Sequence, residues 1–203
     1  MVVRAVMFDV GGVLEVTPYL GVDRQWENKL GLPPGALGER LEDIWSGGEL
    51  GTITEADVYQ ALRDRLGLDG QLATAFMADM WREYLGTPNT ELIEYTRRLR
   101  PRYRTGIISN SFVGAREQEH AAYGFGDLVD AVIYSHETGI SKPDPRIYTL
   151  ACARLDVAPG ETVFVDDVGY CVDGARRAGM HAVRYQDNAQ VIGEIGALLA
   201  GQP

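Results

Sequence analysis

Five short apolar, β-rich runs occur at residues 2–8, 105–109, 131–134, 162–165 and 181–185, and from the second onward they alternate with segments of helical period. Such alternation is the mark of βαβ units, which need a parallel sheet covered by helices on both faces. The predicted class is therefore α/β, with a Rossmann-like parallel sheet. The helix after Pro143 is the plainest case: Asp144 can cap it, Pro145 suits its first turn, and Ile147, Leu150, Ala151 and Leu155 share one face. A second short helix is expected over residues 173–179, ended by Gly179.

Between the first run and the second no comparable strand occurs. Amphipathic stretches stand there instead, at residues 25–30, 37–45, 55–66 and 71–85, with Thr54 and Asp57 placed as a capping box. They are punctuated by LGLPPG at 30–35, SGGELGT at 46–52 and GTPN at 86–89, which read as turns. A helical insertion of about 70 residues is larger than any ordinary loop. The expected division is a core of residues 1–15 and 88–203 with an inserted helical domain at 16–87.

Charge narrows the range of partners. With 19 Lys and Arg against 29 Asp and Glu, a formal charge of −10 argues against nucleic acid and anionic membrane surfaces. An anionic substrate would need locally placed positive charge. Cys152 and Cys171 lack ligand-like spacing and suggest reduced thiols, and no run approaches eighteen consecutive apolar residues. A cytoplasmic protein, monomer or homodimer, is expected, in which Met80, Trp81 and Tyr84 would serve an interface if exposed.

In an open parallel sheet, ligands bind beyond the carboxyl ends of the strands. Asp9 follows the first run, Ser109 ends the second, Lys142 lies in the loop after the third, and Asp166 with Asp167 ends the fourth. Any one of them alone would be an ordinary turn or cap residue. Together they would crowd up to three carboxylates, an arrangement that protons or a cation must offset, and a hard divalent ion such as Mg²⁺ suits oxygen ligands. A carboxylate nucleophile, a divalent cation, a hydroxyl and an ammonium around one point would suit phosphoryl transfer.

Four pieces of the chain, FDVGGVL at 8–14, IISNS at 107–111, SKPDPRIY at 141–148 and VFVDDVGYCVDGARRAGM at 163–180, resemble in order the motifs of the haloacid dehalogenase-like hydrolases. The insertion resembles the cap that many of these proteins carry after the first strand. The resemblance implies an aspartyl-phosphate nucleophile at Asp9, phosphoryl oxygens held by Ser109, Asn110 and Lys142, and Mg²⁺ bound by Asp9, the Gly11 carbonyl and Asp167. Asp166 would bind the metal through water or orient the ligands.

Gly11 departs from the pattern. Most phosphatases of the family carry a second Asp there, as general acid and then base, and losing such a group costs about 10²- to 10⁴-fold in rate. One reading is a phosphatase of a small phosphorylated metabolite, a sugar phosphate being one example, with Glu15, His136 or Asp144 as substitute proton carriers or a leaving group that needs little protonation. A second is a 2-haloacid dehalogenase, against which the Asp166–Asp167 pair stands. A third is a non-catalytic phospho-ligand binding protein.

The remaining residues read as structural. His120, His136 and His181 show no metal-ligand spacing, Cys171 a small helix residue, and Trp26, Trp45, Trp81 and Tyr84 the core of the insertion. Trp45 and the following Ser46–Glu49 turn would contact substrate if they faced the site.

Overall fold

The computed structural model describes residues 2–201. In chain order the elements are β1 (Ala5–Phe8), β2 (Glu15–Val16), α1 (Val22–Leu30), α2 (Ala36–Glu49), α3 (Glu55–Leu66), α4 (Gly70–Leu85), β3 (Thr87–Pro88), α5 (Thr90–Leu99) and β4 (Arg104–Ser109). They continue with α6 (Ala115–Tyr123), α7 (Phe125–Leu128), β5 (Ala131–Tyr134), α8 (Ser135–Thr138), α9 (Pro145–Leu155), β6 (Thr162–Asp166), α10 (Gly169–Arg177), β7 (His181–Arg184) and α11 (Asn188–Ala200). Five strands form one parallel sheet in the order β5-β4-β1-β6-β7, with β1 at its centre.

Alternation along β1 explains why the sheet must be covered twice. Val6 and Phe8 pack with Ile107, Val163 and Val165 beneath Leu92 of α5 and Ile195 of α11. Ala5 and Met7 face the other way, toward Ile147 and Ala151 of α9 and Ala175 of α10. A strand buried on both sides reads as a continuous apolar run, which is how AVMF stands in the sequence.

The insertion builds a core of its own. Trp26, Leu41, Leu62 and Phe76 pack together from α1 to α4, and Trp26 meets Phe76 edge to face at 5.2 Å. The expected capping box at Thr54 and Asp57 closes the start of α3. The helices enter and leave through an antiparallel ribbon that pairs Glu15 with Pro88 and Val16 with Thr87. Among the described residues no helix is long and apolar enough to cross a membrane.

Two expectations fail here. Residues 46–49 are not a turn: α2 runs through Ser46, Gly47 and Gly48 to Glu49. The reason lies outside the helix, because a β-carbon on Gly48 would overlap the Phe112 ring and its carbonyl accepts the Val113 amide at 3.1 Å. The helix expected over 173–179 begins at Gly169, four residues sooner, because Asp166 Oδ1 accepts the Val168 amide at 2.8 Å and turns the chain directly after β6.

Candidate active site

Parallel pairing brings the carboxyl ends of β1, β4 and β6 to one edge of the sheet, and with them Asp9, Ser109 and the Asp166–Asp167 pair. The Asp9 amide donates to the Val165 carbonyl at 2.9 Å, which fixes the first residue beyond the central strand. Lys142 arrives from the loop between α8 and α9. Its Nζ lies 2.7 Å from Asp9 Oδ1 and 2.7 Å from Asp166 Oδ2, with the lysine side chain only 2% exposed.

Asp9 Oδ1 also accepts the Val10 amide at 2.8 Å, and both contacts use this oxygen. The side chain keeps 11% exposure, so Oδ2 is left for an incoming group. Burial, together with the charge of Asp166, outweighs Lys142 and pushes the Asp9 carboxyl up to about 7. Burial followed by Asp166 also raises Asp167. Burial opposes the charge of Lys142, yet Asp9 and Asp166 hold its pKa above the usual value.

Carboxylate oxygens of Asp9, Asp166 and Asp167 lie within 4.8 Å of one another. That is near the span of roughly 4 Å across an octahedral shell with Mg²⁺–oxygen bonds of about 2.0–2.1 Å. Three carboxylates face one ammonium, so an all-oxygen donor set with surplus negative charge fits a hard divalent cation. Asp167 reaches its place because Gly12 has φ +73° and no side chain: a β-carbon there would stand 2.5 Å from Asp167 Oδ2. Ser109 is buried, and its hydroxyl makes only a long 3.4 Å contact with the Asn110 carbonyl, so it remains available to an anionic oxygen.

Other candidates fall elsewhere. The Asn110 side chain is committed to the loop that delivers Lys142, accepting its amide at 2.7 Å and donating to its carbonyl at 3.0 Å. Asp144 caps α9 and pairs with Arg146 at 2.6 Å. His136 Nδ1 lies 2.6 Å from Ser111 Oγ, and burial lowers its pKa. Glu15 is buried beside Gly11: its Oε2 accepts from Thr17 Oγ1 at 3.0 Å and its Oε1 finds no partner among the described residues. Burial pushes this carboxyl up to about 8.

Both cysteines are buried free thiols, with burial raising Cys171 to about 12. Met80, Trp81 and Tyr84 are half-buried, so the condition for their serving a subunit interface is not met. They line a cavity of about 280 Å³ between the insertion and the loop after β4. Sequence reasoning overlooked the other wall of that cavity, Ser111 and Phe112, although an aromatic in the Gly/Ser/Asn-rich loop NSFVG was a signal. It also overlooked Glu119, fully buried on α6, which accepts hydrogen bonds from Tyr134 and Tyr84.

Residues 3–179 match the sequence profile of the haloacid dehalogenase-like hydrolases. The chain belongs to this family. Phosphatase MT3486 of Mycobacterium tuberculosis is 29% identical over 222 residues, covering 99% of each chain. (S)-2-haloacid dehalogenase 4A of Burkholderia cepacia is 32% identical over 182 residues, covering 87% of this hydrolase and 72% of that one. Other relatives are longer proteins, of which the chain spans 19% and 38%. The fold matches a haloacid dehalogenase-like enzyme of Bacteroides thetaiotaomicron, solved in complex with magnesium and inorganic phosphate. The TM-score is 0.78 at 20% identity, over 93% of this hydrolase and 98% of that chain.

Proposed function

We propose that this hydrolase is a Mg²⁺-dependent phosphatase of a small phosphorylated metabolite, with Asp9 as nucleophile and residues 16–87 as its cap. The observation that carries the reading is the cluster of Asp9, Asp166 and Asp167 around one buried lysine. A dehalogenase, whose nucleophile attacks carbon, has no use for a cation-binding set of acids, and a mere binding protein has no need of a reachable nucleophile beside it.

Lys142 holds Asp9 Oδ1, which leaves Oδ2 to attack phosphorus while the ester P–O bond breaks and the alcohol departs with a proton from solvent. Ser109 Oγ and Lys142 Nζ hold the non-bridging phosphoryl oxygens through the transfer. Water then attacks the aspartyl phosphate, releasing inorganic phosphate and restoring the Asp9 carboxylate. Asp166 keeps Lys142 pointed at the nucleophile. Mg²⁺, held by Asp9, Asp167 and the Gly11 carbonyl with Asp166 behind them, would neutralise the charge that gathers on the phosphoryl oxygens.

The test is phosphate release from a panel of phosphate esters and acyl phosphates, with Mg²⁺ and with EDTA, for the wild type and Asp9→Asn. Metal-dependent release that falls by about 10³-fold or more in the variant is expected. Metal-independent halide release from a 2-haloacid, with no phosphate released, would replace this reading by the dehalogenase one. Silence in both assays would leave the binding protein.

A further inference from the structure

The loop that starts at Ser109 continues as Asn110, Ser111 and Phe112, and these three residues form one wall of the cavity between core and insertion. The opposite wall is mostly apolar: Trp45 from α2, and Met77, Met80, Trp81 and Tyr84 from α4, with Glu49 of α2 beside them. Phe112 joins the two sides, its ring centroid 5.5 Å from Trp45 and 6.3 Å from Trp81. The cavity is lined by Asn110, the residue that directly follows the hydroxyl assigned to the phosphoryl group, and on the phosphatase reading it is the space into which the alcohol part of an ester would extend.

Its polar groups are mostly engaged already. Asn110 is bound to the Lys142 main chain, Ser111 Oγ to His136 and the Ser111 amide to Ser135 Oγ, while the Tyr84 hydroxyl donates to Glu119 at 3.1 Å. A polyhydroxyl group would find few partners here and would lose its hydrogen bonds to water. Among the described residues no Lys, Arg or His lines the cavity and Glu49 is its one charged side chain, so a second phosphate or a carboxylate would meet repulsion. At about 280 Å³ it has room for roughly nine waters at 30 Å³ each, the size of a small organic group.

On the phosphatase reading, we infer that the substrate is the monophosphate of a small apolar alcohol, aryl or short isoprenyl, and that Trp45, Trp81 and Phe112 select it. The sugar phosphate considered from sequence is disfavoured by the same walls. Aromatic and methionine side chains with few open polar groups are the usual lining of sites for apolar ligands.

Acetyl phosphate, too small to fill the cavity, tests the phosphatase reading by itself. Phenyl, naphthyl and geranyl phosphates are then compared with glucose 6-phosphate and glucose 1-phosphate by kcat/KM, and the free alcohols are titrated against Trp fluorescence. We expect at least about a tenfold preference for the apolar esters, and a loss of about 10- to 100-fold on them in Trp81→Ala, mostly in KM. The aryl and isoprenyl arms show which of the two shapes is taken. Hydrolysis of acetyl phosphate with equal or better turnover of the glucose esters would overturn the inference and leave the phosphatase intact. No turnover of any phosphate, with the alcohols still quenching wild-type but not Trp81→Ala fluorescence, would sink the phosphatase reading and support the apolar site. No turnover and no quenching would sink both.

Discussion

Glu15 Oε2 lies 3.7 Å from the point where a β-carbon on Gly11 would stand, and Thr17 Oγ1 lies 3.4 Å from the same point. Both are ordinary van der Waals distances, so the backbone at Gly11 has space for a side chain although none is present. With Glu15 pushed up to about 8, a carboxylate introduced there would meet a protonated neighbour at neutral pH.

Gly11→Asp should therefore fold and should gain rate on phosphate esters of alkyl alcohols by about tenfold or more, with little change on acyl phosphates, whose leaving group needs no proton. Comparison of kcat for the two substrate types checks this. Equal, unchanged kcat on both would mean that another group already carries the proton.

Lys142 separates two buried carboxylates by bonding to both at 2.7 Å. In Lys142→Met the pair is left without its cation, a loss of about 3–5 kcal/mol in unfolding free energy. Saturating Mg²⁺ should restore part of it, by about 2.7 kcal/mol at a hundredfold excess over Kd. Urea titrations of wild type and variant, with the metal and after its removal, measure both effects.

Burial raises Glu119 from 4.5 to about 7 against the opposing hydrogen bonds of Tyr134 and Tyr84. Between those two pH values the folded protein keeps a proton that the unfolded chain has released, so stability falls as pH rises through the window and levels off above it. Glu119→Gln keeps an acceptor for the tyrosines and removes the titration. The difference in urea midpoint between pH 5 and pH 8 should shrink in the variant.

Gly48 is the point where α2 meets Phe112. Gly48→Ala would push that ring aside and should cost about 1–3 kcal/mol, as overpacking does. KM for the preferred ester should rise with it, because Phe112 forms part of the cavity wall. Calorimetry and steady-state kinetics on one preparation test the link.

The parallel core was legible because its inner strands are buried on both faces and leave apolar runs, as Val163, Phe164 and Val165 do. The places of Asp9, Ser109, Asp166 and Asp167 followed from strand ends, which a parallel sheet gathers at one edge. What escaped depends on contacts distant in sequence. Gly47 and Gly48 read as a break until Phe112 is seen against the helix, and nothing local marks Glu119 as a buried acid meeting two tyrosines. Two-residue strands such as Glu15–Val16 are too short for any periodicity to show.

That short ribbon sets how the two parts are joined. Because Glu15 lies opposite Pro88 and Val16 opposite Thr87, the chain departs from the core and comes back at neighbouring points, about 5 Å apart at the α-carbons. The four-helix module is in effect plugged in through a single two-pin connector. A two-residue hairpin could bridge the socket once the module is removed, so one core can be fitted with a different module, or with none, without rethreading the sheet.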